Sequence, residues 1–472
     1  MKFISTRGEA PALSFEGALL AALAPDGGLF MPEAWPRLAP DEIAALAGLD
    51  YADAADRIMR PFLAGDACQD DLGAVLSDAY DGFHHPAVAP LRQLGPNSFV
   101  LELFHGPTLA FKDIAMQVVS RFMDRALRRR GGHATVVGAT SGDTGAAAIE
   151  AFRGLDAIDV FILHPKGRIS DVQRRQMTTA REANVHNIAV EGTFDDCQAM
   201  VKALFGDPVL SGRLGLTGIN SINFARILAQ IAYYFTSAVS LGAPHRPVAF
   251  TVPTGNFGDI FAGYAARAMG LPVRRLVIAT NLNDSLPRAF ASGTYQPQGV
   301  IATSSPSMDI QLASNFERLL FELAGRDAAR IRALMEELRA TGAFQLSQGE
   351  LGQLRDLFSA HSVGEDETKM TIRGVFEETG MLVDPHTAVG IAASHREDLG
   401  ATPMVVLSTA HPAKFPDAVE RACGRLPEQP ERLKLKLGQD ERCTVLPADF
   451  AAVADFIVRH GRAATAATEV QA

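Results

Sequence analysis

The sequence predicts an α/β protein of mainly parallel sheets with flanking helices in two lobes, behind a helical N-terminal segment. Three observations point there. Short apolar, β-branched runs alternate with helical patterns after residue 97. The first ninety-odd residues show helical patterns and few strand signals. The chain has 472 residues, 47% hydrophobic and 21% charged, which supplies core for two or three domains.

In chain order, DEIAALAGLDYADAADRIMRPFL and DDLGAVLSDAYDGF read as helices, and the Pro-bearing HHPAVAPLRQLGPN closes that segment. Then FVLELF precedes a helix expected from Ile114, ATVVGAT precedes TGAAAIEAF, and AIDVFILH precedes a helix around SDVQRRQM. VAFTVPT precedes DIFAGYAARAM, PVRRLVIATN adds a strand, and TPMVVLSTA precedes PDAVERACG. Residues 307–382 are dominated by helical patterns, and the tail HGRAATAATEVQA is expected to fray. The expected divisions are an N-terminal domain at 1–95, a catalytic region at 96–430 with a smaller lobe at roughly 115–235, and a C-terminal segment at 431–472.

A net charge of −10 with scattered basic residues argues against a nucleic-acid partner. The densest basic run, RALRRRGG at 125–132, reads as a solvated helix end. No stretch is long and apolar enough to span a bilayer, and MKFISTRGEA lacks a signal-peptide pattern. The expectation is a cytoplasmic protein without a membrane partner. Cys68, Cys197, Cys423 and Cys443 form no CxxC pair and the histidines no metal-ligand spacing, so neither a disulfide framework nor a bound metal is expected.

Ligands of open α/β sheets gather at the carboxyl ends of strands. GATSGDTGAAAI, residues 138–149, reads either as an anion cradle or as a turn capped by Ser141 or Asp143. In VPTGNFGD, residues 252–259, Gly255 and Gly258 bracket Asn256 and Phe257, a spacing suited to N–H groups converging on a phosphate, although GxxG alone is weak evidence. VVLSTAHPAKF exposes Ser408 and Thr409 at a strand end. Asn220, Ser221 and Asn223 precede a helix bearing Arg226, which reads as a second anion site or as a cap beside a surface arginine. Finally, HGPTLAFKDIAMQ places Lys112 after a turn signal, with Phe111 packing beside it and Asp113 as a helix-start charge. A distinctive lysine, two glycine-bearing loops, a strand-end hydroxyl and a separate Arg/Asn/Ser cluster are the equipment of a pyridoxal-phosphate enzyme acting on a phosphorylated substrate.

ISTRG at 4–8, APDGGLFMPE at 24–33, ELFHGPTLAFKD at 102–113, ATSGDTGAAAI at 139–149, NSINFARILAQ at 220–230, VPTGNFGD at 252–259, ATNLNDSLPR at 279–288, DPHTAVG at 384–390 and STAHPAKFP at 408–416 closely resemble the threonine synthase family. Their order matches the longer bacterial and fungal type. The resemblance implies a fold-type-II, tryptophan synthase β-like pyridoxal 5'-phosphate enzyme converting O-phospho-L-homoserine and water to L-threonine and phosphate, as a monomer or homodimer. Lys112 would be the Schiff-base lysine and acid/base; Gly255, Asn256, Phe257 and Gly258 would hold the cofactor phosphate; Thr409 would meet the pyridine nitrogen. Ser141, Thr144, Asn220, Ser221 and Arg226 would contact the substrate carboxylate and phosphate. Asp143, counted among the cofactor contacts, stands where related fold-type-II enzymes commonly carry Asn. An ionised Asp cannot donate to the cofactor's 3′-oxygen, so it is protonated, turned away or capping the helix.

Three other readings compete. A serine/threonine dehydratase or cysteine synthase would leave NSINFAR and ISTRG without purpose. A binding module that retains the fold without catalysis would not need Lys112. A nucleotide site would need a Walker lysine or GxGxxG, and neither is present.

Overall fold

The computed structural model describes residues 1–140, 142–218 and 221–463. The chain opens with an antiparallel ribbon, β1 (Phe3–Ser5) against β2 (Phe30–Pro32). The helices Tyr51–Met59 and Cys68–Tyr80 follow. The N-terminal segment is therefore not purely helical: strands of three residues are too short for a period of two to register in the sequence. The Pro-bearing stretch does more than end this segment. It supplies β3 (Leu91–Gly95), which pairs antiparallel with β4 (Ser98–Glu102) at a sheet edge.

The Lys112–Arg129 helix leads into a second sheet built from β5 (Ala134–Ala139), β6 (Ile158–Pro165), β7 (Val185–Glu191) and β8 (Leu216–Gly218). The chain then returns to the first sheet with β9 (Val248–Pro253) and β10 (Val273–Thr280). A two-stranded ribbon joins β11 (Thr294–Tyr295) to β12 (Phe344–Gln345). β13 (Phe358–Ser362) and β14 (Met404–Ser408) complete the larger sheet, in the order β13-β10-β9-β14-β4-β3 and parallel except at β3. β15 (Thr444–Pro447) crosses back to make the smaller sheet β15-β7-β6-β5-β8, parallel throughout. Burial on both faces explains why β6 and β9 are buried at every residue and read as continuous apolar runs.

Residues 307–382 are dominated by helices, as expected, and also contain the short strands β12 and β13. FSAHS is too polar to show as an apolar run. The expected frayed tail falls mainly on residues 464–472, outside the described residues. Ahead of it, the Phe450–His460 helix buries Val453 and Ile457 among Cys197, Leu204 and the strands of the smaller sheet.

The basic run at 125–132 ends its helix with Arg128, Arg129 and Arg130 exposed, as expected, and it also makes ion pairs. Arg129 and Arg130 each pair with Glu16 at 2.6 Å, and Arg129 also pairs with Asp71, clamping the N-terminal segment to the Lys112–Arg129 helix. Glu16 also gathers with Asp66 and Cys68. These two arginines already neutralise Glu16, and burial pushes the Cys68 thiol well above its usual range, which disfavours it as a metal ligand. Among the described residues, no helix is long and apolar enough to cross a membrane.

Candidate active site

The lysine loop connects the ends of two neighbouring strands. Leu103 N–H donates to Ser408 O at 3.0 Å, Phe111 N–H to Thr409 O at 2.8 Å, and His411 N–H to Leu109 O at 3.0 Å. The segment before Lys112 is thereby fixed along the extension of β14, beside Thr409. The helix starts at Lys112, not Ile114. What advances it is Asp113, whose buried carboxylate accepts from Thr108 N at 2.7 Å and Thr108 Oγ1 at 2.7 Å and closes the Pro-Thr turn. Asp113 is therefore a structural lock, not merely a helix-start charge. Burial pushes its carboxyl up to about 6 against the pull of the Thr108 bonds.

Lys112 itself is half-buried, with Nζ 5.6 Å from the centre of the Phe111 ring. Burial lowers its pKa to about 8; Lys414 and Arg226 push the same way, while Asp143 and Asp113 oppose them. An amine so placed holds a usable neutral fraction near neutral pH, as a lysine that attacks carbonyl carbon requires.

The glycine loop follows β9 and opens the Gly258–Ala268 helix. Gly255, Asn256 and Gly258 are half-buried, whereas Phe257 is buried and packs its ring 5.2 Å from that of Phe316. Phe257 can thus offer a ligand its backbone, not its side chain. It adopts φ +66, which is costly for a non-glycine residue and is held there by that packing. Among the described residues, the N–H groups of Gly255, Asn256, Phe257 and Gly258 donate to no carbonyl or side chain, and they lie at the positive end of a helix. A Cβ on Gly255 would stand 2.9 Å from both Ser307 O and Ile310 Cδ1, so any side chain there would force the loop to shift. Such a set of donors suits an anion.

Across the cleft, Gly142 is the N-cap of the Asp143–Phe152 helix, and Thr140 Oγ1 accepts from Gly142 N and Gly145 N, both at 3.0 Å. Asp143 is the first helical residue and not the cap. Its Oδ1 receives Lys414 Nζ at 2.8 Å and Gln173 Nε2 at 3.1 Å, and its Oδ2 receives Ser307 Oγ at 3.3 Å. Burial alone would raise this carboxyl, but Lys414 and Lys112 hold it well below the usual range. Asp143 is thus ionised and committed to Lys414. Thr144 is half-buried one position further along the helix, and Ser141 lies outside the described residues.

Of the second cluster, Asn220 lies outside the described residues and Ser221 is half-buried. Asn223 caps the Phe224–Ser240 helix, its Oδ1 accepting from Ala225 N at 3.1 Å and its Nδ2 donating to Leu19 O at 2.8 Å. Arg226 is no surface arginine: it is 6% exposed, and burial lowers its pKa to about 10. Its charge bears on the Lys112 amine, and Asn315 Nδ2, which donates to both Ser221 O and Asn256 O, places the cluster beside the glycine loop.

Sequence reasoning missed Lys414, which is fully buried and also donates to Thr108 O at 2.7 Å. It also gave no role to DPHTAVG. There, Asp384 Oδ2 and His386 Nδ1 lie 2.5 Å apart, and Ser307 N–H donates to His386 Nε2 at 3.2 Å, which assigns the proton to Nδ1. Thr387 Oγ1 bonds Ser408 Oγ at 2.8 Å, which engages Ser408 and leaves Thr409, whose backbone carbonyl meets the lysine loop, as the other strand-end hydroxyl. The signal available was the density of polar residues just after apolar runs.

A two-sheet α/β scaffold with a low-pKa lysine and a phosphate-sized N–H cradle at its strand ends defines a fold-type-II pyridoxal-phosphate-dependent enzyme. Comparison with known proteins narrows this. The family described as pyridoxal-phosphate dependent enzyme matches residues 85–410, flanked by matches to threonine synthase N terminus at 2–80 and threonine synthase, C-terminal, at 387–457. Threonine synthase of Pseudomonas aeruginosa is 53% identical over 98% of this chain and 99% of its own length. A pyridoxal-phosphate-bound threonine synthase structure from Brucella melitensis superposes with a TM-score of 0.97 at 54% identity, covering 98% of this chain and all of that one. The yeast threonine synthase structure gives a TM-score of 0.93 at 40% identity over 97% and 98% of the two chains. The chain belongs to the threonine synthase family.

Proposed function

We propose that this chain converts O-phospho-L-homoserine and water to L-threonine and phosphate. The observation that carries the reading is one cleft holding a low-pKa lysine, a phosphate-sized N–H cradle and a buried arginine of a second anion cluster. Pyridoxal phosphate, when bound, supplies an aldehyde that captures an amine and a ring that withdraws the electrons of a carbanion. The residues present fit it. The N–H groups of Gly255, Asn256, Phe257 and Gly258 would hold its phosphate, Lys112 would bind its aldehyde carbon, and the Thr409 hydroxyl would meet its pyridine nitrogen.

Toward the substrate, Lys112 moves protons at Cα, Cβ and Cγ, the role suited to an amine that titrates near 8. Arg226, with Ser221, Asn220, Ser141 and Thr144, receives the substrate's carboxylate and phosphate; a desolvated guanidinium binds such anions more strongly than a surface one. Asp143 acts as an acceptor. Its charge neutralises Lys414 and keeps the Lys112 pKa from falling further, so we read it as setting the field around the cofactor without donating to it.

Incubating the holoprotein with O-phosphohomoserine should release phosphate and threonine one for one. Pyruvate or 2-oxobutyrate as the main product, from serine, threonine or the phosphorylated substrate, would point to a dehydratase instead.

A further inference from the structure

Asn315 and Arg318 belong to none of the clusters above, yet both are completely buried and both bond to the loops of the cleft. Asn315 is the N-cap of the Phe316–Leu323 helix. Its backbone N–H donates to Asn256 O at 3.0 Å, and its side-chain amide donates to the same oxygen at 3.1 Å and to Ser221 O at 3.2 Å. One amide therefore bonds the carbonyls of both anion loops. Arg318 fixes the orientation of that amide, donating from Nε to Asn315 Oδ1 at 3.0 Å, and it spends its remaining nitrogens on Ile222 O and Phe30 O.

The geometry of the peptide bond gives these contacts their consequence. In a trans peptide the C=O of one residue and the N–H of the next point in opposite directions. Anchoring Asn256 O away from the cleft aims Phe257 N–H into it, and anchoring Ser221 O and Ile222 O does the same for the N–H groups of Ile222 and Asn223. Gly258 leaves room for this: a Cβ there would stand 3.3 Å from Asn315 Nδ2. The device extends to the N-terminal segment. Phe30 lies in β2, and Glu317, between Asn315 and Arg318, accepts from Thr6 Oγ1 at 2.6 Å and from Arg7 at 3.2 and 3.0 Å.

We infer that Asn315, oriented by Arg318 and the N-terminal ribbon, is a positioning residue that aims the backbone donors of the cofactor-phosphate loop and of the substrate loop together. The inference rests on the proposed reading of those two loops.

The test is Asn315→Asp. The variant keeps its acceptor for Arg318 but presents a carboxylate, which cannot donate, to two carbonyls. Asn315→Ser, neutral and smaller, is the second variant should the first not fold. Apoprotein is titrated with pyridoxal phosphate and with pyridoxal, which lacks the phosphate, and KM and kcat are measured on the holoprotein. Expected is a rise of about tenfold or more in the Kd of pyridoxal phosphate, no change for pyridoxal, and a KM increase exceeding any fall in kcat. Ile457→Ala, in the far helix of the smaller lobe, supplies a control for general destabilisation and should leave both affinities unchanged. Unaltered phosphate-dependent affinity and KM in the Asn315 variants, or losses no greater than those of the control, would overturn the inference. A wild-type protein that binds pyridoxal as tightly as pyridoxal phosphate would instead overturn the reading of the glycine loop, and this inference with it.

Discussion

Lys112 and Lys414 both bring an amine into the cleft, and their neighbours separate what each can do. Lys414 is ion-paired to Asp143 at 2.8 Å, whereas the Lys112 pKa is lowered to about 8 by burial. Because only the neutral amine attacks an aldehyde, the rate at which the apoprotein takes up pyridoxal phosphate should rise with pH and level off above about 8, followed by absorbance in stopped flow. The stability contribution has a definite sign. The folded pKa lies below the ordinary 10.5, so the charged amine penalises the fold fully below about pH 8, and the penalty is relieved as pH rises from about 8 to 10.5. Asp143→Asn removes the charge that opposes this depression, so the uptake midpoint should move to lower pH. It also leaves Lys414 buried without its partner carboxylate, at a cost of about 3–5 kcal/mol by denaturant unfolding. Lys112 stood out in the sequence only together with the two glycine-bearing loops, the strand-end hydroxyl and the family resemblance. Lys414 did not, because Thr108 and Asp143, which define its role, are hundreds of residues away and meet it only in the fold.

The loops at the strand ends were the most legible elements, since glycine and hydroxyl residues after an apolar run mark where a backbone can approach a ligand. What the spacing did not reveal is which groups of each loop face the cleft. Phe257 turned out to be an anchor whose ring is buried, and Thr140, which the spacing did not single out, supplies an oxygen that bonds the N–H groups at the start of its helix. Gly255→Ala tests the tightest of these loops. Its Cβ would press on a backbone oxygen at 2.9 Å, so the loop must shift by a few tenths of an ångström. The expected result is a loss of about 1–3 kcal/mol in pyridoxal phosphate binding by calorimetry, with pyridoxal binding unchanged. Short or polar strands such as β1, β2 and β13 escaped the sequence reading for a different reason: pairing partners, not periodicity, make them strands.

Over the whole molecule, the chain visits each lobe more than once. The larger sheet is interrupted by the smaller lobe, and the C-terminal residues return to finish the smaller sheet with β15 and the Phe450–His460 helix. The Asp143–Lys414 pair then joins the helix after β5 to the segment after β14, bringing the carboxyl ends of the two sheets together. Alternating strands and helices made the two-lobed α/β class legible, but no local pattern announces that a distant C-terminal strand completes the smaller sheet. Ile457→Ala should therefore cost about 2–5 kcal/mol and raise amide hydrogen exchange in β5, β6 and β7 while leaving β9, β10 and β14 protected.

Lys112, and not the fully buried Lys414, is the lysine proposed to carry the cofactor. Borohydride reduction of the holoprotein followed by peptide mass mapping tests that assignment directly. The phosphopyridoxyl group is expected on the peptide containing Lys112, and it should disappear, with the visible absorption, in Lys112→Ala. Recovery of the group on Lys414, or visible absorption that survives Lys112→Ala, would contradict the assignment.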